Sequence, residues 1–210
     1  MNLDKANQYL QSNLERDMLD PNPFAQFKTW YQEAEERGVT YPNALSLATA
    51  SASGAPSVRT VLLKYFDESG FVFYTNYNSR KSKEITENPQ VAMLFPWLKL
   101  ERQVRINGSI EKVSMAQSLK YFTSRPRESQ IAAWCSDQSD IIDSKQVLLM
   151  KFEEMKNKFK SGKIPLPSAW GGYRLKPQTF EFWQGGNNRL HDRFQYSKNG
   201  ENWKIDRLAP

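Results

Sequence analysis

The stretch from residue 44 to residue 113 constrains the fold most. β-Branched and aromatic residues come there in short bursts, at 44–50, 57–65, 71–76, 91–97 and 102–113, with turn formers such as Ser53-Gly54 and Asp67-Glu68-Ser69-Gly70 between them. Strands following one another at such short spacing predict an antiparallel sheet or barrel. Four more strands are expected near the C-terminus, at 170–175, 179–183, 190–196 and 203–208. Helical patterns frame them at 4–17, 23–37, 79–87, 114–123, 126–135 and 144–160. The second helix has Asn22 placed to cap it and Pro23 at its first position, with Phe24, Phe27, Trp30 and Tyr31 on one face. The last has an apolar stripe through Val147, Leu148, Met150, Phe152 and Met155. The expected class is α+β, mainly β. A helical segment over 1–19 precedes a single domain over 20–210.

Composition narrows the chemistry. The 6 Trp, 9 Tyr and 12 Phe suffice for a well-packed core. No apolar run approaches the ~20 residues of a membrane helix, and no signal peptide opens the chain, so a soluble cytoplasmic protein is expected. The single cysteine, Cys135, excludes an internal disulfide and sits in an apolar run that suits a buried thiol. With one histidine, His191, neither a His-based metal site nor a His-dependent triad has enough ligands. Redox or transfer chemistry would need a borrowed organic cofactor and no metal. The net charge of +6 is uneven: residues 1–55 carry −3 and residues 56–210 carry +9. That excess calls for an anionic partner, but no run of five basic residues or nucleic-acid motif accompanies it.

Four constellations carry candidate chemistry. Ser79-Arg80-Lys81-Ser82-Lys83 opens a helix with cations that oppose the macrodipole, a conflict a bound phosphate removes; a solvated charge run is the plain alternative. Arg59 to Lys64 brackets an apolar strand with two cations on opposite faces, which reach two anions or else snorkel to solvent. After Gly185-Gly186, a strand would align Arg189, His191 and Arg193 on one side. Tyr121, Arg125 and Ser129, spaced by four across a helix–Pro–helix junction, would converge on a small phosphate, although Arg125 could instead cap the preceding helix.

These motifs carry a resemblance. Glu181-Phe182-Trp183-Gln184-Gly185-Gly186 followed by Arg189-Leu190-His191-Asp192-Arg193 resembles the C-terminal signature of the pyridoxine/pyridoxamine 5′-phosphate oxidases. Arg59 to Lys64, Tyr74-Thr75, Ser79-Arg80-Lys81, Gln103-Val104, Ser124-Arg125-Pro126, Gln138-Ser139 and the ending Trp203 to Leu208 fit in the same order.

The resemblance implies an antiparallel split β-barrel of the FMN-binding type, with peripheral helices, working as a homodimer with FMN at the subunit interface. Arg59, Arg80 and Lys81 would hold the FMN phosphate. Thr60, Val61, Leu62, Leu63, Lys64, Tyr74, Thr75, Gln103, Gln138, Ser139, Trp183 and Arg193 would line the rest of the flavin. Lys64, Tyr121, Arg125 and Ser129 would take the substrate phosphate, and Arg189 and His191 would sit against the pyridine ring as the catalytic pair. The implied reaction oxidises pyridoxine or pyridoxamine 5′-phosphate to pyridoxal 5′-phosphate with O₂, releasing H₂O₂, and ammonia from the amine. No nucleic acid or membrane is involved. The alternative is a flavin-binding split barrel acting on another heterocycle.

Overall fold

The computed structural model describes residues 13–135 and 138–210. The helix expected at 4–17 lies mostly outside these residues; its described end is irregular, followed by a 3-10 turn at Arg16–Met18.

Helix α1 (Pro23–Glu36) starts where the sequence places it. The Asn22 side chain accepts a hydrogen bond from the Phe24 N–H at 2.9 Å, and Pro23 occupies the first turn, where it has no helical N–H to lose. Its buried face carries Phe27, Trp30 and Ala34. The Phe27 ring meets Phe66, Phe71 and Phe95 edge-on at 4.8, 4.9 and 4.9 Å, with Trp97 at 5.8 Å. Edge-to-face packing sets the negative ring face against a positive ring edge, so this aromatic cluster fixes α1 on the sheet.

The sheet is antiparallel at every pairing. Its strands are β1 (Ala44–Ala50), β2 (Pro56–Leu62), β3 (Tyr65–Asp67), β4 (Gly70–Asn76), β5 (Gln90–Trp97), β6 (Arg102–Lys112), β7 (Trp170–Gln184), β8 (Asp192–Asn199) and β9 (Asn202–Arg207). The order is β2-β1-β5-β6-β7-β4-β3, with β8 and β9 added beside β7, and the whole curls into a half-barrel around the aromatic core.

Three strand expectations are corrected. The strand expected at 57–65 stops at Leu62: the Leu63 N–H bonds the Asn43 carbonyl and the Lys64 N–H bonds the Val72 carbonyl, so the chain passes there from β1 to β4. The pieces expected at 170–175 and 179–183 are one strand. Pro177 does not break it: Asn107 faces Thr179 and Gly108 faces Pro177, leaving Gln178 as a bulge directly beside the proline, the setting in which sheets tolerate one. A Cβ on Gly108 would lie 2.0 Å from the Lys176 carbonyl oxygen, so the close approach at the bulge needs glycine. The strand expected at 190–196 begins only at Asp192, after a 3-10 turn at Asn187–Arg189.

Helix α2 (Arg80–Glu87) links β4 to β5. Helices α3 (Met115–Ser124), α4 (Arg127–Cys135) and α5 (Lys145–Lys158) sit between β6 and β7, around a second core of Phe122, Ile131, Cys135, Ile164 and Trp170. The apolar stripe of α5 touches this core only through half-buried Phe152 and Met155; no residue of α5 is buried and Met150 is exposed. Cys135 is a buried free thiol, with its pKa raised by desolvation. No helix among the described residues is long and apolar enough to cross a membrane, and no acidic, Cys or His cluster among them could hold a metal.

Truncating Phe27 to Ala removes the centre of the aromatic cluster, with an expected loss of ~3–5 kcal/mol in urea unfolding, whereas Phe27→Leu keeps most of the volume and loses clearly less.

Candidate active site

Among the described residues, strand β2 ends the sheet and pairs with β1 alone, so its outer edge presents backbone donors and acceptors that no other described strand takes. A cleft of about 750 Å³ runs along that edge. Of the residues singled out from sequence, Arg59, Thr60, Val61, Leu62, Lys64, Tyr74, Thr75, Arg80, Lys81, Tyr121, Arg125, Ser129, Gln138 and Ser139 line it. Leu63 does not: it is 5% exposed and belongs to the core. β2 alternates between half-buried and exposed positions, and Val58 and Leu62 leave apolar side chains uncovered.

One end of the cleft is a cation cluster built on a carboxylate. Glu84, 6% exposed, accepts from Arg80 Nε at 2.9 Å on one oxygen and from Thr49, Ser57 and Arg59 Nη2 (3.2 Å) on the other. Burial alone would raise its pKa. The hydrogen bonds from Ser57, Thr49 and Arg80, with the charge of Arg59, overcome that and hold it at about 2. Arg59 is desolvated, which lowers its pKa, while Glu84 opposes the shift; its Nη1 also donates to the Leu47 carbonyl at 3.0 Å. The conflict of cations at the start of α2 is thus answered from within the protein: Arg80 folds back on Glu84 one turn along, and Ser139 Oγ accepts the Arg80 backbone N–H at 3.2 Å. Lys81 is 7% exposed and spends its three protons on Thr75 Oγ1, Ser79 Oγ and Gln138 Oε1, at 2.8, 3.0 and 2.8 Å. Desolvation, then the charge of Arg59, brings its pKa down to about 8. With Glu84 counted, the two arginines and the lysine leave a net +2, the complement of a phosphate dianion.

The other end is aromatic. Tyr74, Tyr121 and Trp170 lie nearly parallel, with centroids 4.1 to 6.1 Å apart. Arg125 lies over the Trp170 ring at 4.8 Å; its Nη1 is buried with no acceptor among the described residues, and desolvation lowers its pKa. An unmet guanidinium donor beside a cleft is a place for an anion. The Arg125 backbone N–H also caps α3, on the Phe122 carbonyl, while Ser129 stands in the first turn of α4. Burial of the Tyr74 hydroxyl pushes its pKa up to about 12.

Gln103, Trp183, Arg189, His191 and Arg193 do not line this cleft. Register places Gln103, Trp183 and Arg193 side by side across β6, β7 and β8. Arg193 donates through Nε to Glu181 at 3.0 Å, and Glu181 also holds Arg105. The His191 ring sits 4.6 Å from that of Trp183, and its Nδ1 accepts the Gly186 N–H at 3.1 Å, so the neutral imidazole carries its proton on Nε2. The expected row of Arg189, His191 and Arg193 is not a strand face. Asn188 and Arg189 take positive φ (56° and 62°), which turns exposed Arg189 away from strand geometry. A Cβ on Gly186 would lie 2.1 Å from the Leu190 carbonyl oxygen, so this turn closes only over glycine. Trp170 and Trp183 mark the two groups on β7, separated by roughly 40 Å of strand.

Sequence reasoning missed Glu84, Thr49, Ser57 and Trp170. The signal for Glu84 was present, since Arg80 and Glu84 have the i,i+4 spacing of a helical ion pair. Nothing local marks Trp170, which reaches the cleft because Trp170 pairs with Asn76 of β4.

Comparison with known proteins bears on the whole chain. A family model described as pyridoxamine 5′-phosphate oxidase matches residues 31–159, and one described as the pyridoxine 5′-phosphate oxidase C-terminal dimerisation region matches residues 170–210. A pyridoxine/pyridoxamine 5′-phosphate oxidase of Crocosphaera subtropica is 63% identical over 206 residues, 97% of this chain and 96% of its own. One from Teredinibacter turnerae is 55% identical over the full length of both chains. Among solved structures, PhzG from Burkholderia lata, in complex with tetrahydrophenazine-1-carboxylic acid, superposes with a TM-score of 0.90 at 29% identity, covering 96% of this chain and 100% of its own. A pyridoxamine 5′-phosphate oxidase-related, FMN-binding protein from Nostoc punctiforme shares the fold, with a TM-score of 0.71 at 15% identity over 91% of this chain and 100% of its own.

Because the folded-state pKa of Glu84 is depressed from 4.5 to about 2, its ion pairs stabilise the fold fully above pH 4.5 and are lost as the pH falls toward 2. In urea unfolding, Glu84→Gln is expected to cost ~3 kcal/mol at neutral pH, and the difference from the unsubstituted protein should close across that acid window.

Proposed function

The chain belongs to the pyridoxine/pyridoxamine 5′-phosphate oxidase family, and on that premise we propose that it uses FMN to oxidise pyridoxine and pyridoxamine 5′-phosphates to pyridoxal 5′-phosphate. The observation that carries the reading is a single cleft with two separate anion positions, the Glu84-based cluster at one end and the orphan guanidinium of Arg125 at the other. Two phosphates, one on the cofactor and one on the substrate, match them.

The cleft suits the cofactor. Arg59, Arg80 and Lys81 would hold the FMN phosphate, at the net +2 of their cluster. The free edge of β2 from Thr60 to Leu62 would present backbone groups to the polar rim of a flat heterocycle, while Leu63 supports that edge from the core. Tyr74, Thr75, Gln138 and Ser139 would close the far wall. When bound, FMN supplies the hydride acceptor for C4′ of the substrate and the route by which the electrons reach O₂, giving H₂O₂.

The protein's own groups then orient the substrate. Lys64, Tyr121, Arg125 and Ser129 would fix its phosphate and so place its ring over the cofactor position. Gln103, Trp183 and Arg193 would complete the cofactor's surroundings, and Arg189 and His191 would bear on the pyridine ring, His191 offering the Nε2 proton. These five lie apart from their own chain's cleft and within or beside the region matched as a dimerisation region, so a second copy of the chain would supply them. That arrangement also gives a partner to exposed Val58 and Leu62. A homodimer with FMN at each of two interface sites is the assembly this supports, in the cytoplasm, where the free thiol of Cys135 stays reduced. The curated oxidase relatives do not favour another heterocycle as substrate.

The purified protein is expected to be yellow, and its flavin band to bleach anaerobically on adding pyridoxine 5′-phosphate; a colourless protein that cannot be reconstituted with FMN overturns the reading. Arg80→Ala is expected to lose FMN first, and Arg189→Ala to keep FMN while losing turnover, both followed by flavin absorbance alongside H₂O₂ release. The reverse pattern would reassign the two arginines.

A further inference from the structure

We propose that Trp170 is a positioning residue that holds Arg125 as a cation with no carboxylate partner among the described residues and thereby sets the preference of the cleft for a phosphorylated substrate. The proposal rests on the reading of Arg125 as the substrate-phosphate ligand and extends it to a residue that the sequence motifs do not include.

The argument begins with how the partly buried arginines are neutralised. Arg59 pairs with Glu84, Arg102 with Glu33, Arg174 with Asp67 and Arg193 with Glu181. Arg125 is partly buried like them, yet among the described residues its guanidinium has no ion pair and its Nη1 no acceptor. An aromatic face stands where the others have a carboxylate: the Arg125 Cζ is 4.8 Å from the Trp170 ring centroid. The two kinds of support differ in consequence. A carboxylate orients a guanidinium and cancels its charge, so an arriving phosphate must compete with it. A ring face orients the same group through its quadrupole and leaves the full charge for the phosphate.

The ring can orient only if it is itself fixed, and it is. Trp170 is 9% exposed and begins β7, in register with Asn76. Its backbone N–H donates to the Pro167 carbonyl at 3.1 Å. Phe122 meets the ring edge-on at 5.3 Å, and Tyr74 lies nearly parallel to it at 5.4 Å. From the other side the backbone of Arg125 is held, its N–H on the Phe122 carbonyl and its carbonyl accepting from Gln130 Nε2 at 2.8 Å. Pro126 keeps Arg125 extended (φ −75°, ψ 151°), which directs it out of α3 rather than along it.

The test uses FMN-loaded protein and reads binding of pyridoxal 5′-phosphate and of phosphate-free pyridoxal by perturbation of the flavin spectrum, with no turnover. Trp170→Leu is expected to weaken the phosphorylated ligand by about tenfold and leave pyridoxal unchanged, while Trp170→Phe, which restores a ring face, recovers most of the loss. Equal weakening of both ligands, or none of the phosphorylated one, overturns the proposal. Arg125→Lys gives a second arm in an intact core: it keeps the charge but not the planar group that stacks, so the phosphate preference should fall. A lysine variant with the full preference overturns the proposal even where Trp170→Leu does not fold. Unsubstituted protein that binds both ligands alike overturns the reading of Arg125 itself, a result distinct from either of these.

Discussion

Strand β7 pairs with β6 from Tyr173 to Gln184, while its first six residues pair with β4 and its last six with β8. Everything else in the molecule is positioned against this branching. The first half delivers Trp170 to the cleft beside Tyr74 and Arg125; the second half sets Trp183 between Gln103 and Arg193. The two groups thus stand at opposite ends of one strand that β6 holds from Tyr173 onward. The bulge at Gln178, with Gly108 against the Lys176 carbonyl, changes the register between the halves while leaving the pairing with β6 unbroken.

The two ends of the cleft solve the same problem, holding a cation out of water, by different means. Around Glu84 the solution is internal neutralisation: a carboxylate, two arginines and two hydroxyls satisfy one another, and with Lys81 counted the remaining +2 is the complement of a dianion. Around Trp170 the solution is a ring face, which orients without cancelling charge. On the proposed function, a cofactor that stays and a substrate that must leave ask for different depths of anion site, and the two constructions suit that division.

Much of this was legible in the sequence. The limits of β1 and the cap of α1 follow directly from periodicity, Asn22 and Pro23, because local propensity and tertiary packing agree there. The cation cluster at the start of α2 was visible as an electrostatic conflict, and the resemblance to a family named the residues around it. Other features depended on contacts that no window contains. Pro177 looks like a break until it is seen beside the bulge opposite Asn107 and Gly108 of β6. Arg189 and His191 look like neighbours on a strand until the Gly186 N–H closes a turn onto His191 Nδ1. That the cleft and the Trp183 group stand apart in one chain is a property of sheet branching, which periodicity does not encode. The stripe on α5 is apolar as expected, but only Phe152 and Met155 of it pack on the second core, half-buried.

The open edge of β2 has a consequence for the life of the chain before assembly. A strand with unsatisfied backbone groups along one side and bare Val58 and Leu62 beside them is a template for further strands, including those of misfolded neighbours. The position that would receive cofactor and partner is therefore the one most exposed to aggregation and to quality-control proteases. Shortage of flavin would then register as loss of the protein as well as loss of its activity.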